Sequence, residues 1–219
     1  MGTKVGIFDL GKTVIDYDWE RAVGILERRY GVDPKRVYGT IIHNDAYEGL
    51  EAGLYDGTLS PNEFYRSCMA LFQKQGEGRW PAKPVVRMTE ERFWEICNSI
   101  FMPNPPMEGL IPLLKVRGYR LILLTNTCAP HLEFIRRTFR VMDNFDATVA
   151  SHEVKVEKPD PVMYPLALEA AQARPEECFF VDDLAQNLAY AQVMGIRTFR
   201  YDIGDHDALL EWLSREQIL

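Results

Sequence analysis

The sequence has few cysteines and no long apolar stretch. Its four cysteines lie far apart, with no CxxC pair and no histidine at a zinc-ligand spacing, so they predict reduced, buried thiols. No stretch approaches the ~20 consecutive apolar residues that a membrane-spanning helix needs. Residues 1–15 also lack an apolar segment followed by a small-residue cleavage site. We therefore expect a cytoplasmic protein that does not enter a membrane.

Basic charge is also scarce. The 25 lysines and arginines are outnumbered by 32 aspartates and glutamates, which gives a formal net charge of −7. A sequence-independent grip on nucleic acid depends on clustered basic residues, so no nucleic acid partner is expected. The 219 residues, 47% of them hydrophobic, are enough for one large domain or for a domain that carries an insertion.

Short apolar runs alternate with helical patterns over most of the chain. The predicted strands are Val5–Phe8, Leu121–Leu124, Ala147–Ala150, Phe179–Val181 and Thr198–Tyr201. The predicted helices cover residues 107–117, 128–139, 161–172 and 184–194 approximately. Gly118 and Gly195 stand where helices are expected to stop. Strands that alternate with helices predict an α/β fold with a parallel sheet.

Residues 16–107 interrupt this alternation and have an almost entirely helical pattern. Asp18 is predicted to cap a helix that ends at Gly31, and the stretch from Ser60 to Glu63 has the pattern of a capping box. The simplest architecture is an α/β core formed by residues 1–15 and 108–219, with residues 16–107 inserted as a helical cap.

Four polar clusters follow predicted strands or begin the next helix. They are Asp9-Leu10-Gly11-Lys12-Thr13, Leu123-Leu124-Thr125-Asn126-Thr127, Lys158-Pro159-Asp160-Pro161-Val162-Met163-Tyr164 and Phe180-Val181-Asp182-Asp183. Ligands of open α/β sheets bind at the carboxyl ends of the strands, where these clusters are expected to meet. Each cluster alone has a structural interpretation, because Thr and Asn form turns and Asp caps helices. Their ordered combination indicates a functional site.

In this order, and with a helical insertion after the first cluster, the chain resembles the haloacid dehalogenase-like superfamily over essentially its whole length. The resemblance implies a Rossmann-like core, an inserted all-helical cap that moves over the site, and Mg²⁺-dependent phosphoryl transfer. The stretches FDLGKTVIDYDWE and VDDLAQN are similar to the branch that contains α-glucose-1-phosphate phosphatase and the phosphatase domain of soluble epoxide hydrolase.

The chemistry of phosphoryl transfer explains why these residue types occur together. A phosphate monoester is a dianion, so an attacking carboxylate needs cations around both partners. Asp9 is the predicted nucleophile, which would form an aspartyl-phosphate, and Lys158 would offset the charge of both. Asp9 and Asp183 are oxygen donors suited to Mg²⁺.

The resemblance extends this set of site residues. It implies that the backbone carbonyl of Gly11 is a further metal ligand and that Asp182 holds the waters of the metal or Lys158. Thr125 and the amide of Asn126 are expected to donate hydrogen bonds to phosphate oxygens at a strand end.

One position departs from the pattern of the phosphatases. They usually carry a second aspartate two residues after the nucleophile as general acid and base, and this chain has Gly11 there. The loss of such a group typically lowers the rate by about 10²–10⁴-fold. A catalytically silent protein that binds a phosphorylated metabolite is therefore one alternative, and a dehalogenase or a phosphonatase is another. The acidic pair Asp182 and Asp183 argues against metal-independent dehalogenation.

The cap is expected to contact the leaving group of a small phosphorylated metabolite. The predicted specificity segment is Tyr47–Gly57, in which Glu51 and Tyr55, with His43 nearby, could hydrogen-bond a polyhydroxylated group. A solvated helix–helix connection is the structural alternative for this segment. Sugar phosphates are the favoured substrates by resemblance.

Overall fold

The computed structural model describes residues 4–42, 50–73 and 86–219. Its central feature is a five-stranded parallel sheet, and a separate antiparallel pair of strands lies beside it. The described strands are β1 (Val5–Phe8), β2 (Ile15–Tyr17), β3 (Phe101–Pro103), β4 (Arg120–Thr125), β5 (Ala147–Ala150), β6 (Cys178–Asp182) and β7 (Arg197–Arg200).

The described helices connect these strands and build the inserted segment. They are α1 (Trp19–Tyr30), α2 (Pro34–Arg36), α3 (Leu50–Tyr55), α4 (Pro61–Gln73), α5 (Glu90–Asn98), α6 (Pro105–Val116), α7 (Ala129–Thr138), α8 (Ser151–Val154), α9 (Met163–Ala171), α10 (Ala185–Val193) and α11 (His206–Arg215). Within the described ranges, no helix combines the length and the apolar character that crossing a bilayer requires.

The parallel sheet has the strand order β5-β4-β1-β6-β7. Its three central strands, β4, β1 and β6, are buried on both faces because helices cover both sides, as expected for a parallel sheet. Phe8 and Phe179 pack into the hydrophobic cluster on one face, whereas their neighbours Ile7 and Phe180 pack into the cluster on the other. This Rossmann-like architecture confirms the predicted fold class, and each of the five predicted core strands overlaps an observed one.

Helix ends predicted from the sequence have the expected capping residues. The side chain of Asp18 accepts a hydrogen bond from the amide of Glu20, and α1 ends at Gly31 with a left-handed φ of 66°. The amide of Ser60 donates to Glu63, and the amide of Glu63 donates back to the Ser60 hydroxyl, which confirms the capping box. All four cysteines are free and buried, as predicted.

The inserted segment has a hydrophobic cluster of its own. Phe64, Phe72 and Phe93 lie at its centre and are almost fully buried. At the two ends of the segment the structure differs from the helical pattern, because β2 and β3 pair there as an antiparallel ribbon in which Ile15 lies opposite Pro103. Strands of three residues are too short to show a periodic signal, and their partners lie far apart in the chain. The domain boundaries at residues 15/16 and 107/108 stay a prediction.

Helix α11 was not assigned from the sequence. Asp205 caps it by accepting a hydrogen bond from the amide of Ala208, and Leu209, Trp212 and Leu213 are buried against the sheet cluster. This helix therefore completes the cover of one face of the sheet.

Candidate active site

The polar clusters meet at the carboxyl edge of the sheet. Asp9 follows β1 directly, Thr125 is the last residue of β4, and Asp182 is the last residue of β6. Because β1 lies between β4 and β6, with Phe8 opposite Leu123 and Val181, the residues that follow these strands are neighbours. The strand connections change direction beside β1, which is where open α/β sheets bind their ligands.

Lys158 lies at the centre of this edge. Its Nζ donates to Asp9 Oδ1 at 2.6 Å and to Asp182 Oδ2 at 2.7 Å, and its side chain is only 1% exposed. Hydrogen bonds between ionised partners are short and strong. Burial alone lowers the pKa of Lys158, but Asp182 and Asp9 outweigh this effect and hold that pKa above its usual range. The ammonium therefore stays charged between the two carboxylates.

Asn126 holds the backbone of Lys158 in place. The amide of Lys158 donates to Asn126 Oδ1 at 2.8 Å, and Asn126 Nδ2 donates to the carbonyl of Lys158 at 2.9 Å. The sequence predicted that Asn126 contacts the phosphate through its own amide, and that role stays a prediction. The structure adds that its side chain joins the loop after β4 to the loop that carries Lys158.

Asp182 accepts hydrogen bonds on both carboxylate oxygens. Besides Lys158, the amide of Leu184 donates to Oδ1 at 2.8 Å, and Asn187 Nδ2 lies 3.0 Å from each oxygen. This set of donors orients Asp182 towards Lys158. Asn187 was not singled out from the sequence, although a polar residue on the buried side of α10, next to Leu188, is a signal that could have identified it.

Asp9, Asp182 and Asp183 form a compact acidic group. One carboxylate oxygen of each lies within 4.8 Å of the others, so these residues could hold a metal ion. Burial raises the pKa of Asp9 to about 7, Lys158 opposes this shift, and Asp182 and Asp183 add to it. Burial, followed by the charge of Asp182, raises the pKa of Asp183 to about 6. The site therefore favours a further positive charge.

Gly11 lies against the ring of Tyr17. A Cβ at Gly11 would be 3.0 Å from Tyr17 Cε1 and 3.4 Å from Cδ1, which is tight for any side chain at this position. The neighbouring Lys12 has a left-handed φ of 54°, and its ammonium donates to Asp16 Oδ1 at 2.6 Å. The turn after Asp9 is thus shaped around a glycine and an aromatic ring.

Thr125 and Thr127 are buried at the end of β4. Thr125 is 1% exposed, and its Oγ1 lies 3.5 Å from the carbonyl of Asn126, at the outer limit of a hydrogen bond. The amide of Thr127 donates to Ser151 Oγ at 2.9 Å, and His152 Nδ1 lies 2.9 Å from the carbonyl of Thr127. Ser151 and His152 therefore both contact the backbone of this loop.

The cap contributes a polar pair from α3. The hydroxyl of Tyr55 donates to Glu51 Oε1, and burial raises the pKa of Glu51 to about 7. Glu157 of the core also has a pKa of about 7, because burial, Asp56 and Glu51 all raise it. Glu157 was not singled out from the sequence; its Oε2 is buried and has no hydrogen-bond partner among the described residues. His43 and the first part of the predicted specificity segment lie outside the described residues.

A cavity of about 400 Å³ lies away from the carboxylates. It is bounded by α5 and α7, with Trp94, Asn98, Glu133 and Arg137 in its lining. Because none of the acidic cluster lines this cavity, we place the candidate site at the carboxyl edge of the sheet.

The structure thus combines a Rossmann-like parallel sheet, an inserted helical segment and an Asp–Lys–Asp cluster at the carboxyl edge of the sheet. The chain belongs to the haloacid dehalogenase-like hydrolase family, because the model of that family matches residues 3–195. This match covers all four polar clusters.

Similar proteins include enzymes with phosphatase names. The chain is 25% identical to a sesquiterpene phosphatase of Aspergillus oryzae over 193 residues, which cover 88% of this chain and 87% of that one. It is 29% identical to a phosphorylated carbohydrates phosphatase of Thermotoga maritima over 130 residues, covering 57% and 59% of the two chains.

A solved structure with the same fold comes from Bacteroides thetaiotaomicron. This HAD family enzyme, in complex with magnesium and inorganic phosphate, is 26% identical to the chain and superposes with a TM-score of 0.72. The superposition covers 93% of this chain and 96% of that one.

Proposed function

We propose that the protein is a Mg²⁺-dependent phosphatase that hydrolyses small phosphate monoesters through an aspartyl-phosphate on Asp9. The observation that carries the proposal is the position of the Asp9 carboxylate. It lies at the end of the central strand, bonded to the buried ammonium of Lys158 and beside two further carboxylates. A nucleophile that attacks a phosphate dianion needs these positive neighbours.

The chemistry of the donors fits Mg²⁺. Asp9 and Asp183 supply hard oxygen ligands, and we assign the carbonyl of Gly11 as a further ligand. With three carboxylates around one ammonium, the cluster has an excess of negative charge that a divalent cation offsets. Asp182 lies in the same cluster, and its described hydrogen bonds favour a role in orienting Lys158. When bound, Mg²⁺ would neutralise charge on the phosphate and on the carboxylates.

The residues of the chain then have distinct roles. Lys158 holds one oxygen of Asp9 and so orients the carboxylate for attack on phosphorus. Thr125 and the amide of Asn126 donate hydrogen bonds to the phosphate oxygens from the end of β4. Attack by Asp9 breaks the bond from phosphorus to the leaving oxygen, and water then hydrolyses the aspartyl-phosphate.

Sugar phosphates are the proposed substrate class. Glu51 and Tyr55 place a carboxyl and a phenol group on the cap side, and Glu157 adds a second carboxyl from the core. Such groups bind hydroxyls through hydrogen bonds. The name of the Thermotoga relative, a phosphatase of phosphorylated carbohydrates, supports this choice. Another relative is named as a sesquiterpene phosphatase, so an isoprenoid phosphate belongs in the substrate panel as well.

The test is phosphate release from sugar phosphates, nucleotides, an isoprenoid phosphate and p-nitrophenyl phosphate, with Mg²⁺ and with EDTA. We expect release that needs the metal and is abolished in Asp9→Asn, because no other group replaces the nucleophile. Asp143→Asn, an exposed position outside the cluster, is the matched control.

A second candidate is a binding protein without turnover. Gly11 favours it, because a glycine at this position lacks the acidic side chain that phosphatases usually have there. Phosphate binding without release from any substrate would support this alternative. Metal-independent release of halide from a 2-haloacid would instead favour a dehalogenase.

A further inference from the structure

We propose that Tyr17 provides the hydrogen-bond donor for the leaving-group oxygen, in the space that a side chain at position 11 would otherwise occupy. This inference rests on the proposed function and names the residue that protonates the leaving group in it.

The ring of Tyr17 approaches the turn after Asp9 with its hydroxyl-bearing end. The position of a Cβ on Gly11 is 3.0 Å from Cε1, the carbon next to the one that carries the hydroxyl, and 3.4 Å from Cδ1. The ring therefore fills the space above Gly11, two residues after the nucleophile. A side chain at position 11 would therefore require the tyrosine ring to shift.

Tyr17 is also in contact with the cap. It belongs to β2, at the base of the cap, and packs against the hydrophobic cluster of the cap. Burial raises the pKa of Tyr55, and Glu51, Cys128 and Tyr17 add to the shift, so Tyr17 lies near the polar pair of α3. Because the attacking and leaving oxygens are in line, a phosphate held by the core directs its leaving group towards the cap.

Two neighbouring residues contact Tyr17, one at its backbone and one at its ring. The backbone amide of Tyr17 donates to Asp16 Oδ1 at 2.7 Å, and Lys12 Nζ donates to the same oxygen at 2.6 Å. The Lys12 ammonium also lies 4.9 Å from the centroid of the Tyr17 ring. A cation at this distance is attracted to the ring, and it stabilises negative charge that develops on the phenol oxygen.

The proton balance closes over the two steps of the reaction. As Asp9 attacks phosphorus, the bond to the leaving oxygen breaks and this oxygen takes the hydroxyl proton of Tyr17. The phenolate then accepts a proton from the water that attacks the aspartyl-phosphate. Inorganic phosphate is released, and the Asp9 carboxylate and the Tyr17 hydroxyl are restored.

The experiment compares two leaving groups in Tyr17→Phe. A sugar phosphate releases a weakly acidic alcohol that needs a proton, whereas p-nitrophenyl phosphate releases a stable phenolate. We expect kcat to fall by about 10²-fold for the sugar phosphate. For p-nitrophenyl phosphate the fall should be about tenfold or less. The control is Tyr119→Phe, which loses a hydroxyl that donates to the Ile218 carbonyl at 3.1 Å, away from the site. It should keep the wild-type ratio.

A second variant tests the contact with Gly11. Gly11→Ala places a Cβ 3.0 Å from Tyr17 Cε1 and should displace the ring, with the same selective loss. Combining it with Tyr17→Phe should add little to the loss for the sugar phosphate, because both changes remove one contact.

Equal losses for both substrates, no loss in Tyr17→Phe, or additive losses in the double variant would overturn the role of Tyr17. In each of these cases the wild type still releases phosphate, and the proposed function stands. A wild type that releases phosphate from neither substrate would refute the proposed function and, with it, this inference.

Discussion

Replacing Lys158 with methionine removes the buried positive charge and keeps an unbranched apolar side chain in its place. Lys158 is 1% exposed and pairs with two carboxylates whose side chains are 11% and 0% exposed. Removing one partner of a buried ion pair leaves uncompensated charge and typically costs about 3–5 kcal/mol of unfolding free energy. We expect a loss of this size at pH 8 with EDTA present, and a fall in kcat of about 10²–10³-fold with Mg²⁺.

The loss should shrink as the pH falls. Burial raises the pKa of Asp9 to about 7, and Lys158 is the group that opposes this shift. Without Lys158 the pKa of Asp9 in the folded protein rises further, whereas in the unfolded chain it stays at its usual ~3.9. Below the raised pKa, the folded variant therefore binds a proton that the unfolded chain does not. Acidification from pH 8 to pH 6 therefore stabilises Lys158→Met relative to the wild type.

Urea unfolding and phosphate release measure both effects, and Lys115→Met is the matched control. Lys115 pairs with Asp146 at 2.5 Å, but the two side chains are 37% and 30% exposed. Exposed pairs contribute only about 0.2–1 kcal/mol. If both variants lost the same unfolding free energy, or if Lys158→Met kept wild-type turnover, the reasoning from the buried cluster would be wrong.

Three further predictions concern the support of the site. Burial lowers the pKa of His131 to about 3, so the unfolded chain binds a proton below its usual pKa of ~6.5 that the folded state does not. Between pH 7 and pH 5, urea unfolding of the wild type should therefore show about 2 kcal/mol more loss than that of His131→Gln; equal slopes would contradict this. Asn126→Ala removes both hydrogen bonds to the Lys158 backbone. It should lower kcat, and it should lower the unfolding free energy by about 1–3 kcal/mol. Unchanged values of both would show that Asn126 does not position the lysine. Gly57 has a left-handed φ of 67°, and its carbonyl accepts a hydrogen bond from Lys155. Gly57→Ala should therefore lower Tm and raise KM, because it disturbs this contact between cap and core. Wild-type values of both would refute the role of the contact.

The sequence predicted which polar residues meet at the edge of the sheet, because of how parallel sheets are built. Asp9, Thr125 and Asp182 each end or follow an apolar run, and the carboxyl ends of neighbouring parallel strands lie side by side. Lys158 belongs to no strand, and its placement in the site came from the resemblance and from the need for a cation. The structure places its Nζ against Asp9, 149 positions earlier in the chain.

The supporting contacts were not predictable in this way. Asn187 bonds to Asp182 from the next helix, and the ring of Tyr17 fills the space above Gly11. A glycine in the sequence shows only that a side chain is missing; it does not show what occupies the space. The pairing of β2 with β3 was missed for a similar reason, since three-residue strands carry no periodic pattern of their own.

The amino-acid sequence by itself determined the α/β class, the helical insertion and the polar residues at the strand ends, because periodicity, capping and turn chemistry are local properties of the chain. Only the tertiary structure decided which donors surround Asp182, how Asn126 holds Lys158 and which ring stands beside Gly11. These contacts join residues that are distant in the chain, and their distances depend on how helices and loops pack after the sheet has formed.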